Sequence, residues 1–453
     1  MNIVYDTLLR IADTSSRKEK EAILLEAKES KYAPIFEKVF SAAYDPRVDY
    51  YIKEFETPEP TEVVCVELDE AIDSLSVISQ RQFTGNLAKS WLMSHLNTLT
   101  EQQQSIVSRI IKRDLRCGIS ATTINKVFTN LIYQHPYMRC DSFSEKSLKN
   151  ITFPCYSQIK IDGLYCDIIV TENEVNYVSR NGANLRLNDS NRDQVLLDYA
   201  DENSSYVISG EVIVTDENGD IIPRQESNGY INSDDRDMDR ISFCVWDIVD
   251  YNDFKKASSS VDYESRLNQL LKFVDDTSIS DHNVSVVETI ECESVDQIVD
   301  HFASVRQCGL EGVIIKDQSG LWKHGTSKHQ IKVKVVIDVD LKLVGYRMGE
   351  GRHEGTIGSV GLESSDGLVS VYAGTGLKDK DRLELVDTID DLIERGAICK
   401  IKCNGLIRNK EDDNWTLFLP VFVEIRSDKT DADDYAKIRE SEDSFLDMLK
   451  LIE

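Results

Sequence analysis

The apolar residues of this chain change their spacing near residue 130. Before that point, windows such as KEAILLEAKESKYAPIFEKVFSAAY and SIVSRIIKRDL carry apolar side chains every three or four residues, which predicts amphipathic helices. After it, runs such as YCDIIVT, SYVISGEVIVT and RISFCVWDIV are rich in β-branched and aromatic residues and predict strands. One hydrophobic core rarely organises a chain of 453 residues, so the change of spacing predicts a domain boundary.

A second boundary follows from the strands themselves. Up to about residue 334 they alternate with amphipathic helices, which predicts a mixed α/β domain. Beyond it, short strands punctuated by Gly, Asn and Asp fit a small closed β-barrel of the OB type, with a hinge near Val336 to Asp340. The predicted fold class is multidomain α+β, with a helical domain over residues 1–132, a mixed α/β domain over 133–335 and an OB-type barrel over 336–453.

Charge is unevenly distributed along the chain. The net charge of −28 argues against non-specific affinity for polyanions, but nucleic-acid binding needs only a local basic surface. The segment RIIKRDLRCGISATTINKVF provides one, because the first four of its five basic residues lie at offsets of three and four and are expected to share a helix face. Ser120 is expected to cap the helix that follows. The basic residues are Arg109, Lys112, Arg113, Arg116 and Lys126.

Several classes of protein are disfavoured. The N-terminus lacks the apolar core of a signal peptide, and no stretch reaches the apolar length of a membrane span. The ten cysteines include no Cys-x-x-Cys pair, so neither a structural zinc site nor a disulfide framework is expected. We expect an intracellular protein with free thiols and no membrane partner.

Lys160 stands in a segment of unusual composition. It lies in KIDGLY, where a strand meets Asp162-Gly163. Taken alone, this segment is typical of a hairpin turn with a solvated lysine beside it, and only the rest of the chain indicates another role. Six further fragments follow in a fixed order, each beside a predicted strand end. They are SRNG (179–182), SGEV (209–212), FCVWDIV (243–249), LEGVIIK (310–316), IKVK (331–334) and LPVFVEIRSDKT (419–430). Each fragment alone is weak, but the ordered set is specific.

Together the seven fragments resemble the covalent nucleotidyltransferase superfamily, which comprises ATP-dependent polynucleotide ligases and mRNA capping enzymes. They look most similar to the ATP-dependent DNA ligases of T-even-type bacteriophages. The segments RDLRCGIS, VIDVDLKLVG, GTGLKDK and LFLP add to the resemblance, which covers about the whole chain. It implies that the mixed α/β domain is a nucleotidyltransferase domain and that the helical domain binds DNA through its basic residues.

The resemblance assigns the nucleophile to Lys160. A neutral lysine amine can attack the α-phosphorus of ATP and form a phosphoramidate. Gln158 is expected to face the adenine, where an amide can bond both N1 and the exocyclic amine, and Ile159 lies between the two in the same nucleotide-binding motif. Arg180 resembles the arginine that contacts the nick phosphate and the nucleotide.

The resemblance also implies a ribose contact and a metal site. Glu211 and Glu311 look like the residues that contact the ribose and bind Mg²⁺, since hard oxygen ligands suit Mg²⁺, with Mn²⁺ as a substitute. Trp246 occupies the position of the aromatic residue that stacks on the purine, and Phe243 is expected in the core.

Basic residues near the end of the second domain complete the implied nucleotide site. Lys332 and Lys334 alternate along a strand and point to one face, where an anion such as the α-phosphate offsets their repulsion; Lys316 has a similar role. Arg426, Asp428 and Lys429 form RSDK, which resembles the motif that orients pyrophosphate when the barrel closes over the site. Tyr165 replaces the usual arginine of the first motif and is expected to donate a hydrogen bond to the ligand.

The predicted function is therefore that of an ATP-dependent DNA ligase acting on nicked duplex DNA. An RNA ligase, a capping-type nucleotidyltransferase and a catalytically inactive nick-binding protein are the alternatives. The implied protein is a monomer, cytoplasmic or in the host cytoplasm if viral, and a sliding clamp is a candidate partner.

Overall fold

The computed structural model describes residues 2–52, 54–59, 66–233, 235–350, 353–408 and 414–450. The chain forms two compact units, one of residues 1–135 and 176–186, the other of residues 136–175 and 187–453.

The first unit is helical, as the spacing of apolar residues predicts. Its helices pack around one apolar core that includes Leu8, Phe36, Phe40 and Ile106. Ser120 caps the last of them by accepting a hydrogen bond from the backbone N–H of Thr123, which confirms the predicted cap. The helices are α1 (Ile3–Ala12), α2 (Arg17–Glu29), α3 (Ala33–Tyr44), α4 (Leu68–Ser74), α5 (Ser76–Ser79), α6 (Gly85–Leu96), α7 (Glu101–Ile111) and α8 (Ala121–Val127).

The basic segment does not continue as one helix. Helix α7 ends at Ile111, and Arg113 and Arg116 adopt left-handed backbone conformations with φ of 57° and 53°. The predicted common helix face is therefore wrong, because a single left-handed residue redirects the chain after the helix.

The remaining elements follow in chain order. They are β1 (Met138–Ser142), α9 (Glu145–Leu148), β2 (Cys155–Ile159), β3 (Leu164–Val170), β4 (Val175–Ser179), β5 (Asn184–Leu185), α10 (Ser190–Asn203), β6 (Tyr206–Val214), α11 (Arg224–Ile231), β7 (Ile241–Asp250), α12 (Tyr251–Lys255), α13 (Tyr263–Thr277), β8 (Val284–Val286), β9 (Thr289–Cys292), α14 (Val295–Gln307), β10 (Gly312–Asp317), β11 (Gly325–Lys334), β12 (Ile337–Met348), β13 (Ile357–Glu363), β14 (Ser370–Ala373), α15 (Asp379–Glu394), β15 (Ile398–Cys403), β16 (Leu406–Arg408), β17 (Trp415–Leu417), β18 (Val421–Arg426) and α16 (Tyr435–Lys450).

Two mixed sheets form the amino-terminal part of the second unit. One has the strand order β1-β11-β10-β2-β9, and the other contains the order β3-β6-β7-β8. Most neighbours are antiparallel, whereas β1 pairs with β11 and β7 with β8 in parallel. The expected mixed α/β architecture is confirmed.

The carboxyl-terminal strands form a further antiparallel sheet. Its order is β14-β13-β12-β15-β18, and β16 and β17 form a separate hairpin. Within the residues that the structure describes, this sheet is open, where the sequence predicts a closed barrel. The core continues from Ile331 and Val333 through Val335 and Ile337 into β12, without a break at the predicted boundary between residues 335 and 336.

No described helix combines the length and the apolar character needed to cross a membrane. The described cysteines are free thiols, as expected.

Candidate active site

Lys160 lies where the chain passes from one sheet to the other. Its backbone N–H donates to the Gly312 carbonyl at 2.8 Å and extends the pairing of β2 with β10, and the next strand belongs to the second sheet. A Cβ atom on Gly163 would stand 2.5 Å from the Val212 carbonyl oxygen and 3.1 Å from Cβ of Glu211. Asp162-Gly163 is therefore a tight crossing between sheets and not a hairpin turn, and only glycine fits against β6.

Glu311 joins two of the predicted lysines. Its carboxylate accepts from Nζ of Lys160 at 2.5 Å and from Nζ of Lys334 at 3.1 Å, and the residue is only 4% exposed. Burial raises the pKa of Glu311, but the two ammonium groups outweigh burial, so that its pKa lies below the ordinary value. Burial, followed by the charge of Glu311, raises the pKa of Asp162. A buried carboxylate thus holds the Lys160 amine in place.

Lys332 and Lys334 alternate on β11 with the buried residues Ile331 and Val333, as the expected common face requires. Both line a cavity of about 460 Å³ together with Ser142, Ser144, Glu145 and three apolar side chains. In the structure the anion beside Lys334 is Glu311, at 3.1 Å.

Aromatic rings surround the amine of Lys316, another lysine that the sequence predicts in the nucleotide site. Nζ of Lys316 lies 4.2 Å from the ring centroid of Tyr263 and 5.8 Å from that of Trp246, which is half-buried. Burial lowers the pKa of Lys316 to about 8. Phe243 is 1% exposed, which confirms that it belongs to the core.

Gln158 is fixed by two hydroxyl groups. Its Nε2 donates to the Tyr263 hydroxyl at 2.8 Å and to Oγ1 of Thr289 at 2.9 Å. Sequence reasoning missed both partners, since Tyr263 begins a helix, Thr289 begins a short strand, and neither belongs to a recognised fragment. The side chain of Ile159 is partly buried and packs on the core of the unit.

Tyr165 differs from the expectation. Its hydroxyl donates to Oδ1 of Asp167 at 2.8 Å, and its ring lies 5.9 Å from that of Trp246. Burial, followed by the charge of Asp167, raises the pKa of the phenol well above its usual range. The hydroxyl is therefore engaged inside the protein, because it faces a buried carboxylate and not the site.

The carboxylates are chemically suited to a metal ion, although no described group of three or more His, Cys, Asp and Glu residues forms a protein-only site. Mg²⁺ usually takes one or two carboxylates together with substrate phosphates. Glu311 supplies such an oxygen donor beside Lys160, and Glu211, half-buried on β6, packs against the crossing at Gly163. The donor set therefore fits Mg²⁺.

The sequence and the fold of this chain are similar to those of known proteins. Residues 137–334 match the family model described as ATP dependent DNA ligase domain. The chain is similar to DNA ligases over nearly its whole length. It is 29% identical to the DNA ligase of Enterobacteria phage T4 and 28% identical to that of phage T6, each over 96% of this chain and 98% of the relative. The fold is similar to the solved structure named Pmar-Lig_PreS3, with a TM-score of 0.71 at 23% identity over 94% of this chain and 100% of that one.

The residues of the RSDK fragment are paired with one another and with Asp340 of the predicted hinge. Arg426 donates to both carboxylate oxygens of Asp428 at 2.7 Å and to Asp340 at 3.3 Å, and Lys429 pairs with the same Asp340. The bond from Arg426 lowers the pKa of Asp428 to about 2. Asp340, 7% exposed, thus acts as the anion for both cations.

The predicted DNA-binding residues of the helical unit fall into two groups. Arg109, Lys112 and Arg116 line a cavity of about 370 Å³. By contrast, Arg113 donates to the carbonyls of Asp45 and Val48, which turns its guanidinium inward, and Lys126 pairs with Glu21 at 3.2 Å.

Arg180 lies exposed in the turn between β4 and β5, a hairpin whose residues 176–186 belong to the helical unit.

Proposed function

We propose that this protein seals nicks in duplex DNA in three steps, and that Lys160 is its nucleophile. The steps are adenylation of Lys160, transfer of AMP to the 5′-phosphate at the nick, and attack by the 3′-hydroxyl. The observation that carries the proposal is the position of Lys160 at the crossing between two sheets, with its amine 2.5 Å from the buried carboxylate of Glu311. A surface lysine beside a hairpin turn has no need of such a partner.

In the first step the Lys160 nitrogen forms a bond to the α-phosphorus, and the bond to the β-phosphate oxygen breaks, which releases pyrophosphate. The attacking amine must be neutral, and Glu311 is the group within reach to accept its proton. Lys334, on the other oxygen of the same carboxylate, keeps Glu311 ionised before the reaction. Catalysis rests on positioning and on neutralisation of phosphate charge.

The nucleotide contacts follow the family motifs. We assign adenine recognition to Gln158 and Ile159, stacking to Trp246, the ribose to Glu211 and the phosphates to Lys316, Lys332 and Lys334. The ring of Tyr165 supports Trp246. Glu211 and Glu311 provide the oxygen atoms that would hold Mg²⁺, which neutralises triphosphate charge when bound.

The RSDK motif has a role in the first step only. Arg426, Asp428 and Lys429 orient pyrophosphate, which requires that Asp340 release the two cations when the carboxyl-terminal region closes. We propose that this region, residues 336–453, is an OB-type domain, that residues 133–335 are the nucleotidyltransferase domain and that residues 1–132 bind DNA.

DNA binding is assigned to Arg109, Lys112 and Arg116, with Lys126, and to Arg180 at the nick phosphate. Phosphate contacts make affinity fall with salt. Arg113, whose guanidinium donates to backbone carbonyls, supports the loop instead. We propose a monomer that acts in the cytoplasm, which is that of the host cell if the protein is viral, with a sliding clamp as a candidate partner.

The test is incubation with α-labelled ATP and Mg²⁺, followed by addition of a nicked DNA duplex. Wild type should take up label and lose it to the nick, and Lys160→Ala should take up none. Lys149→Ala should behave as wild type, because the Lys149 side chain is exposed and pairs with Glu145 at 2.9 Å. Label that passes to an RNA end but not to a DNA nick would identify an RNA ligase. Absence of label on wild type would contradict the proposal that this protein is adenylated by ATP.

A further inference from the structure

Gln158 sits in a hydrogen-bond network whose donors and acceptors can all be assigned. Tyr263 is 2% exposed, and its hydroxyl donates to the Trp246 carbonyl at 2.8 Å. A carbonyl only accepts, so the single phenolic proton is committed to it. The Tyr263 oxygen is then an acceptor for its two other neighbours, Nζ of Lys316 at 3.1 Å and Nε2 of Gln158 at 2.8 Å.

The second hydroxyl in the network is committed in the same way. Oγ1 of Thr289 donates to the Val287 carbonyl at 2.8 Å, which leaves its oxygen to accept from Nε2 of Gln158 at 2.9 Å. Both hydrogens of the Gln158 amide are therefore used inside the protein. The opposite amide orientation would place Oε1 against two oxygens whose protons already have partners, and it is excluded on that ground.

The assignment leaves one atom of the amide for a ligand. Among the described residues, no group donates to Oε1 of Gln158. The residue is 2% exposed, so this oxygen is a buried acceptor whose hydrogen-bonding capacity is left for a ligand. An amide presented in this way offers an acceptor and no donor.

We infer that Tyr263 and Thr289 are positioning residues that set base selectivity, by holding Gln158 so that it recognises the exocyclic amine of adenine and cannot donate to N1. The inference rests on the proposed function. It replaces the expectation that the Gln158 amide bonds both N1 and the exocyclic amine of adenine by a hydrogen bond to the amine alone. A purine without the 6-amine leaves Oε1 unpaired, and sites built around a buried polar group reject such analogues strongly.

The inference is tested by the efficiency of Lys160 adenylation, kcat/KM, with ATP and with purine-riboside 5′-triphosphate, which lacks the amine. Wild type should prefer ATP by at least about 100-fold. Thr289→Val is nearly isosteric and Tyr263→Phe removes only an oxygen atom; each frees one amide hydrogen, so that the amide can turn and donate to N1. Each variant should lower the preference by at least about tenfold.

Two controls separate orientation from general damage. Thr289→Ser keeps the hydroxyl and should retain the wild-type preference. Tyr156→Phe removes a hydroxyl from a ring 6.1 Å from that of Tyr263, and this hydroxyl has Gln318 and not Gln158 as its hydrogen-bond neighbour. It should also leave the preference unchanged.

The outcomes are distinguishable. If wild type is adenylated by ATP but Thr289→Val and Tyr263→Phe keep the full preference, the inference is wrong and the proposed function stands. Loss of preference in Thr289→Ser or Tyr156→Phe to the same extent would also overturn it, because packing and not the hydroxyl bonds would then set selectivity. Wild type that accepts no label from ATP contradicts the proposed function and the inference together.

Discussion

Replacement of Glu311 by glutamine tests the pairing on which the active site depends. The carboxylate, whose side chain is 3% exposed, accepts one charged hydrogen bond from Lys160 and one from Lys334. Glutamine keeps one acceptor, but its amide hydrogens face the second ammonium. One charged hydrogen bond, worth about 1.5–3 kcal/mol, is therefore lost. The lysine side chains are 24% and 27% exposed, so water offsets part of the cost, and we expect a loss of about 2 kcal/mol in the free energy of unfolding.

The measurement is urea unfolding at pH 7, followed by tryptophan fluorescence, which reports on the second unit through Trp246, Trp322 and Trp415. Glu394→Gln makes the same chemical change at an exposed position of α15 and should alter stability by less than about 0.5 kcal/mol. A loss below about 0.5 kcal/mol for Glu311→Gln would refute the reasoning.

The difference between wild type and Glu311→Gln should also depend on pH. Because the folded pKa of Glu311 lies below its ordinary value of 4.5, its stabilisation is complete above that value and is lost as the pH falls through the folded pKa. The two proteins should therefore converge in acid. A difference that widens as the pH falls below 4.5 would contradict the direction of the shift.

Three further predictions concern neighbouring residues. Gly163→Ala should destabilise the protein by about 1–3 kcal/mol in urea unfolding, since its Cβ would meet the Val212 carbonyl at 2.5 Å, whereas Gly229→Ala, with nothing within 4 Å, should not destabilise it. Asp247→Asn should lower the free energy of unfolding by about 3–5 kcal/mol in the same measurement, because the buried guanidinium of Arg266, 1% exposed, loses its charged partner at 2.7 Å. A loss below about 1 kcal/mol would show that another group compensates the charge of Arg266. The pKa of Lys316 in the folded protein, about 8, lies below its ordinary value of 10.5. Between pH 8 and 10.5 the free energy of unfolding of wild type should therefore rise by about 3 kcal/mol relative to that of Lys316→Met. A constant difference between the two proteins across that range would contradict the shift.

The sequence by itself determined the helical first unit and the mixed α/β character of the second, and it singled out Lys160, the nucleophile that we propose. These features are encoded locally: apolar spacing distinguishes helix from strand, and the fragment KIDGLY places lysine two residues before Asp162-Gly163. The common face of Lys332 and Lys334 follows from strand alternation for the same reason.

Only the tertiary structure decided which groups meet. Glu311 is 151 residues from Lys160, and Tyr263 is 105 residues from Gln158, and no periodic pattern encodes such contacts, since they depend on how strands and helices are brought together. The backbone turn at Arg113 likewise breaks a basic stripe that spacing alone predicts to be continuous. Local sequence thus supplied the reactive groups, whereas strand register and burial set their partners, their protonation and the atom that each presents to a ligand.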